Sequence, residues 1–190
     1  GHSKNIIIEE NYFYNTGTGS NVSGAGDSWG GLWLGECADD SYIPEPPYNF
    51  EIEDAVARNN IIVNTIGDAM RAMGGKNVSF YKNTIFNANR SELDLPSLTQ
   101  NSGSFTIFRG CVNDGLGVLE SREFNSEIYL TNNIIVDSLM QGYTTKAPIV
   151  GIIYGSFYSD TPKDHIRLRD NIYYRDDGDY LWKQNGTQYI

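Results

Sequence analysis

Apolar and polar side chains alternate along short stretches of this chain, and the same order of residue types recurs five times. The order is apolar, any, apolar, any, any, Asn, any, apolar. Alternation with a period of two, carried by Ile, Val, Phe and Tyr, is typical of β-strands. Each copy therefore predicts two short strands with a bend at the asparagine. The asparagines of the five copies are Asn11, Asn60, Asn83, Asn133 and Asn171.

A further strand-like segment often follows a copy, and it adds a third side to the repeat. Three short strands joined by bends describe one coil of a parallel β-solenoid. In such a coil each strand pairs with its copy in the next coil, about 4.8 Å away. The sequence therefore predicts an all-β fold. The third segments are Gly31–Gly35, Ala69–Met73, Phe105–Arg109 and Pro148–Tyr154.

The recurring asparagine has a structural interpretation and a catalytic one. At the same bend of successive coils, the side-chain amides can stack and hydrogen-bond from coil to coil, which satisfies polar groups inside the fold. Catalysis needs one site rather than five copies of one residue. The repeat therefore predicts a structural ladder of asparagines.

Spacings between these asparagines indicate long insertions. Asn60 and Asn83 are 23 residues apart, which fits a bare coil, whereas the other gaps are 49, 50 and 38 residues. The excess is either loops or coils that lack the asparagine, and the turn-rich composition of Ala38–Tyr48 and Ser91–Ser104 favours loops. Neither end carries a capping helix, so residues 1–190 are expected to form a single domain that is a segment of a longer solenoid.

Composition and charge narrow the classes of partner. A chain of 190 residues suits one domain, and 39% hydrophobic with 20% charged residues excludes disorder over its whole length. The 14 basic and 24 acidic residues give a net charge of −10, which argues against nucleic acid and anionic membranes as partners. No apolar run is long enough to span a bilayer, and no signal peptide is visible. Cys37 and Cys111 are too few for a disulfide scaffold, and their pairing stays open.

Four stretches carry these features in concentrated form: NIIIEENYFYNTG, VARNNIIVNTIGDAMRAMGGKNVSFYKNTIFN, IYLTNNIIVDS and IRLRDNIYY. They resemble the repeats of the pectate-lyase-like superfamily. The resemblance implies a right-handed parallel β-helix with about five recognisable coils and long loop insertions. It also implies an elongated polysaccharide as substrate or ligand, a monomeric state, and an extracellular or periplasmic location.

Lyases of this superfamily abstract a proton next to a uronate carboxylate with an Arg or Lys base, and calcium held by Asp and Glu neutralises that carboxylate. By this resemblance the catalytic candidates are Arg71, as base or carboxylate clamp, and Asp68 beside it. The candidate calcium ligands are Glu36, Asp39 and Asp68. Asp68 also has a purely structural interpretation, because it can cap a turn or pair with Arg71. The acidic loop residues Glu36 and Asp39 can likewise be solvent-exposed side chains that bind no metal.

The candidate substrate contacts are Trp33, Arg109 and Tyr154. If Met70 and Ala72 face inward, Arg71 projects outward, and the similar segment of the preceding coil brings Trp33 beside it. An outward Trp can stack on a pyranose ring while the Arg pairs with a carboxylate. Alternatively the two side chains stack on each other as a cation–π pair.

Three functions fit this sequence. The leading expectation is a polysaccharide lyase, or a fragment of one, that cleaves a uronate-containing glycan by β-elimination. The first alternative is a non-catalytic solenoid that binds glycan, of the adhesin or tailspike type. The second is a glycoside hydrolase, although the Asn-Thr-Asp and Gly-His-Gly elements of the polygalacturonase-like branch do not occur here.

Overall fold

The computed structural model of the chain describes residues 3–16, 31–35, 38–39, 52–65, 68–88, 104–108, 112–113, 119–120, 126–137, 150–153, 166–175, 182–184 and 187–189. All regular elements in these ranges are β-strands, so the predicted all-β class is confirmed for the described part of the chain. The same ranges contain no helix of the length and apolarity that a membrane span requires.

The strands are short, two to seven residues each. In chain order they are β1 (Ser3–Lys4), β2 (Ile7–Glu9), β3 (Tyr12–Tyr14), β4 (Leu32–Leu34), β5 (Ala38–Asp39), β6 (Ile52–Arg58), β7 (Ile61–Val63), β8 (Met70–Met73), β9 (Gly75–Tyr81), β10 (Thr84–Phe86), β11 (Phe105–Phe108), β12 (Val112–Asn113), β13 (Leu119–Glu120), β14 (Ser126–Thr131), β15 (Ile134–Asp137), β16 (Val150–Ile153), β17 (Ile166–Arg169), β18 (Ile172–Arg175), β19 (Trp182–Gln184) and β20 (Thr187–Tyr189).

Three stacked sheets are built from these strands. Sheet A has the order β1-β6-β9-β14-β17, with β2 also paired to β6. Sheet B has the order β18-β15-β10-β7-β3, and sheet C has the order β20-β19-β16-β11-β8-β4. All neighbours within them are parallel except the β19–β20 pair, and β5, β12 and β13 form a small fourth sheet. Five times, therefore, the described chain runs from sheet A to sheet B to sheet C.

The core consists of the inward side chains, which repeat at the same position of each coil. Ala57, Phe80 and Leu130 are in register on sheet A, and Ile62, Ile85 and Ile135 are in register on sheet B. These side chains are fully buried. Phe80 makes an edge-to-face contact with Phe105 of sheet C, with ring centroids 5.0 Å apart, and so joins sheets A and C across the core.

The bends use residues in the left-handed backbone region. The sequence predicted the central bend at the repeated asparagine, whereas the positive φ lies on the residue before it. That residue turns the chain and leaves the following asparagine side chain free to point inward. Two of these positions hold Glu10 and Lys82, which do not signal a turn by type. The positive-φ residues at the central bend are Glu10, Asn59, Lys82, Asn132 and Asp170.

The predicted asparagine ladder is confirmed, and it runs through all five coils. Asn60 Nδ2 donates to Asn83 Oδ1 at 3.0 Å, and Asn83 Nδ2 donates to Asn133 Oδ1 at 3.0 Å. The same bond joins Asn11 to Asn60 at 3.1 Å and Asn133 to Asn171 at 3.0 Å. Each accepting oxygen also receives the backbone N–H of the preceding asparagine.

The second amide hydrogen of each inner rung is bonded as well. Asn83 Nδ2 donates to the Ala57 carbonyl at 3.0 Å, and Asn133 Nδ2 donates to the Phe80 carbonyl at 2.9 Å. Asn60, Asn83 and Asn133 are almost completely buried. A buried amide is tolerated because its donors and acceptor all have partners in the adjacent coils.

Asn83→Ala should lower the free energy of unfolding by about 3 kcal/mol, because it removes the acceptor of the Asn60 N–H and the donor to the Ala57 carbonyl in a buried site. Urea unfolding followed by circular dichroism measures the change. Asn11→Ala is the matched control. Asn11 is exposed, so water replaces its lost bonds and the cost should be about 1 kcal/mol or less. Equal losses of unfolding free energy in the two variants would contradict the conclusion that burial makes the inner hydrogen bonds of the ladder costly to remove.

Asp54 and Asn77, which also have positive φ, form a second set of polar contacts between coils of sheet A. Asn77 Nδ2 donates to Asp54 Oδ1 at 2.8 Å, and Lys4 Nζ lies 3.3 Å from Asp54 Oδ2. The Asn77 hydrogen bond, followed by that of Lys4, lowers the pKa of Asp54 below its usual 3.8. The pKa is lower in the folded state, so the carboxylate stabilises the fold above pH 3.8, and this stabilisation is lost as the pH falls through the folded pKa.

Asn77→Gly should therefore destabilise the chain at neutral pH, and the difference from the parent should shrink as the carboxylate becomes protonated. Glycine keeps the positive φ of Asn77 while removing its amide. Urea midpoints measured from pH 7 down to about pH 2 test the effect. Asn15→Gly makes the same backbone change at another positive-φ position away from Asp54, so its effect should not depend on pH.

Candidate functional site

Trp33 and Arg71 lie side by side on the outer face of sheet C. Strands β4 and β8 pair in parallel with Trp33 opposite Arg71. Leu34 and Ala72 flank them and are buried. Because side chains alternate along a strand, the two residues between the buried ones point away from the core. The predicted neighbourhood of these two residues is confirmed.

The Arg71 guanidinium lies against both Asp68 and Trp33. Its Nε donates to Asp68 Oδ2 at 2.6 Å, and its Nη2 lies 2.5 Å from the same oxygen in an ion pair. Its Cζ lies 3.8 Å from the centroid of the Trp33 ring. Arg71 is only 7% exposed and Asp68 only 1%. Sequence analysis left two structural alternatives open here, the cation–π stack and the ion pair with Asp68, and both contacts are present.

The backbone around Asp68 is fixed by close contacts between coils. Gly31 N donates to the Asp68 carbonyl at 2.8 Å, and Met70 N donates to the Ser104 carbonyl at 3.0 Å. A Cβ at Gly31 would lie 2.4 Å from the Ala69 carbonyl oxygen, so only glycine allows this approach. Three successive coils thus hold the turn that carries Asp68 and Arg71.

This arrangement suits positioning better than proton transfer. A general base must have a proton-accepting group near the reacting atom, and a guanidinium stays protonated at any ordinary pH. Here Nε and Nη2 of Arg71 both contact Asp68 Oδ2, and the guanidinium packs against the Trp33 ring. The geometry therefore fixes a half-buried tryptophan on the outer face of sheet C.

Other predicted site residues are not brought to this cluster by anything the structure describes. Glu36, Arg109 and Tyr154 lie outside the described residues. Asp39 ends β5 and is in register with Asn113 of the small fourth sheet. Its side chain also lies outside the described part. The roles predicted for these four residues stay predictions.

Calcium, which the resemblance implies, finds no ligand set in the part of the chain that the structure describes. Of the three predicted ligands only the Asp68 side chain is described, and its Oδ2 accepts a hydrogen bond from Arg71 Nε and forms an ion pair with Nη2. Within the described ranges no group of three or more His, Cys, Asp or Glu side chains is arranged to hold a metal ion. The described Asp68 carboxylate forms an ion pair with Arg71, and the calcium site stays a prediction.

The outer face of sheet A is polar and internally paired. Arg58 Nε forms an ion pair with Glu9, and Arg58 Nη1 donates to the Tyr81 hydroxyl at 2.9 Å. The hydrogen bond with Glu9, followed by that with Tyr81, raises the pKa of Arg58. Tyr129 and Arg167 continue this face in register. The face is an ordinary solvated surface whose described polar contacts between coils are this network and that of Lys4, Asp54 and Asn77.

The outer face of sheet B is apolar, a feature that was not predicted from the sequence. We call its ten outward positions the sheet B platform. Parallel sheets are normally covered on both faces, so an apolar face whose described side chains are exposed needs an explanation. The signal was present: the positions one and three residues after each repeated asparagine are apolar in every coil except at Thr84. The platform consists of Tyr12, Tyr14, Ile61, Val63, Thr84, Phe86, Ile134, Val136, Ile172 and Tyr174.

Comparison with known proteins returned no match: no family model, no curated protein and no solved structure is similar to the chain.

Asp68→Asn should lower the free energy of unfolding by about 3 kcal/mol, because it removes the counter-charge of a buried guanidinium. Replacing Arg71 by Met in that background should recover part of the loss, since no uncompensated charge then stays buried. Urea unfolding of the parent, both single variants and the double variant measures the coupling between the two residues. Additive losses would contradict a buried, mutually dependent pair.

Proposed function

We propose that the chain is a right-handed parallel β-helix that binds an extended polysaccharide along the outer face of sheet C. The fold proposal is supported by the repeated A-to-B-to-C path, the parallel register and the asparagine ladder. The functional proposal is supported by one observation above all: the outward Trp33 ring is held in place by the buried Arg71–Asp68 pair.

A held tryptophan is a good partner for a sugar ring. Its large apolar surface matches the C–H face of a pyranose, and a side chain that is already ordered loses little entropy on binding. Neighbouring strands are about 4.8 Å apart, which is close to the length of one sugar in an extended chain. The outward register position continues from Arg71 to Thr106 and Gly151 in the next coils. A glycan that crosses the strands would follow this line.

Binding is favoured over turnover because the described donors of Arg71 are engaged by Asp68. Cleavage by β-elimination, a uronate-containing substrate and a calcium requirement stay predictions from the family resemblance. A polysaccharide ligand is also consistent with the predicted extracellular or periplasmic location.

Affinity electrophoresis against a panel of polysaccharides, with and without calcium, tests the proposal. Trp33→Ala should weaken binding of the retained glycan by about tenfold or more, because truncation of an aromatic anchor commonly costs over 1 kcal/mol. Trp33→Phe, which keeps a ring, should lose less. Circular dichroism of both variants establishes that the fold is intact.

The same samples distinguish the rival functions. Growth of ultraviolet absorbance from an unsaturated sugar product would make the protein a lyase, whereas retention without product would make it a binding module. Reducing sugar without that absorbance would indicate a hydrolase. No retention of any glycan by the folded parent, or retention that Trp33→Ala leaves unchanged, would reject the sheet C site.

A further inference from the structure

We propose that the sheet B platform is a second carbohydrate-binding surface, which takes an uncharged, extended, β-1,4-linked glycan laid across the strands. This inference concerns a different face from the sheet C site and does not depend on it. Three properties of the platform support it: its lack of charge, the spacing of its aromatic rings, and its size.

The platform is exposed and free of charge. Seven of its ten residues are large hydrophobic side chains that are between 41% and 64% exposed. None of the ten positions carries Asp, Glu, Lys or Arg, although the chain has 24 acidic and 14 basic residues. A ligand with carboxylates would lose their hydration on this surface without gaining an opposite charge. The platform therefore favours an uncharged ligand.

Aromatic rings recur along one row of the platform at every second strand. The row reads Tyr14, Val63, Phe86, Val136 and Tyr174, each residue opposite the next in adjacent parallel strands. Successive rings are therefore two strand spacings apart, or roughly 9.6 Å. In a β-1,4-linked chain of equatorial pyranoses, alternate sugars present the same face, because each sugar is turned by half a rotation from the last. The two-strand period of the rings matches that two-sugar period.

The intervening valines complete this arrangement. They are smaller than the rings, so the row presents raised aromatic contacts with lower aliphatic positions between them. At one end Tyr12 lies beside Tyr14, with ring centroids 6.0 Å apart and planes only 12° from parallel. This pair extends the apolar surface to the second row, where the chain of sugars would meet Ile61 and Thr84 next.

The size of the platform argues against a protein partner. Five strands with two outward residues each cover an area on the order of 300 Å². A stable protein interface buries about 800 Å² on each partner. A patch of a few hundred Å² suits a narrow ligand whose apolar rings lie on it, and patches of this size on monomers are often functional.

Sedimentation with microcrystalline cellulose and with chitin tests this assignment, together with calorimetry against cellohexaose. Phe86→Ala and Tyr174→Ala should each weaken binding by about tenfold, because each removes one ring of the row. Both residues are more than 40% exposed, so the fold should survive, which circular dichroism checks. The matched control is Tyr129→Ala, which removes a tyrosine from the outer face of sheet A and should leave the binding unchanged.

Three results would overturn the proposal. The first is absence of binding to all three neutral glycans by the folded parent. The second is binding that Trp33→Ala removes and Phe86→Ala does not, which would leave the sheet C function standing. The third is a dimer on size-exclusion chromatography that Phe86→Asp dissociates, which would assign the platform to a second copy of the chain. Loss of neutral-glycan binding in Phe86→Ala but not in Trp33→Ala, with retention of the polysaccharide panel also unaffected by Trp33→Ala, would support the platform and reject the sheet C site.

Discussion

The hydrogen bond between asparagine amides of successive coils is the interaction on which the rest of this structure depends. An amide inside an apolar core is costly unless every donor and acceptor is paired, and here the partner of each rung is the same residue in the next coil. Slippage of one coil by a residue would break bonds on both sides. The ladder therefore fixes the register of sheets A and B, and the hydrophobic core follows that register.

Register has a consequence at the surface. When strands of successive coils are aligned, outward side chains form rows that cross the strands at a constant spacing. Trp33 and Arg71 belong to one such row on sheet C, and Tyr14, Phe86 and Tyr174 belong to another on sheet B. Both proposed glycan-binding surfaces are rows of this kind.

The three faces differ in how their polar groups are satisfied. Sheet A pairs its charges across coils, as the Glu9–Arg58–Tyr81 network shows. Sheet C buries its ion pair beneath a tryptophan, so that Arg71 acts through the position of the Trp33 ring. None of the ten described outward positions of the sheet B platform carries a charged residue. The same backbone repeat thus presents three different chemistries, because only inward positions are constrained by the core.

The sequence by itself determined the strands on either side of each repeated asparagine, the first four strands of sheet C and the asparagine ladder, because each depends on residue types at a spacing that recurs along the chain. It did not determine β5, which lies in the segment Ala38–Tyr48 where turn residues favoured a loop. It also brought Trp33 and Arg71 together, since both occupy the same position of adjacent coils. Only the tertiary structure decided that the turn lies at Glu10 and Lys82 and that Arg71 is engaged by Asp68. Backbone torsion, burial and the direction of a guanidinium depend on packing between coils, which no local pattern contains.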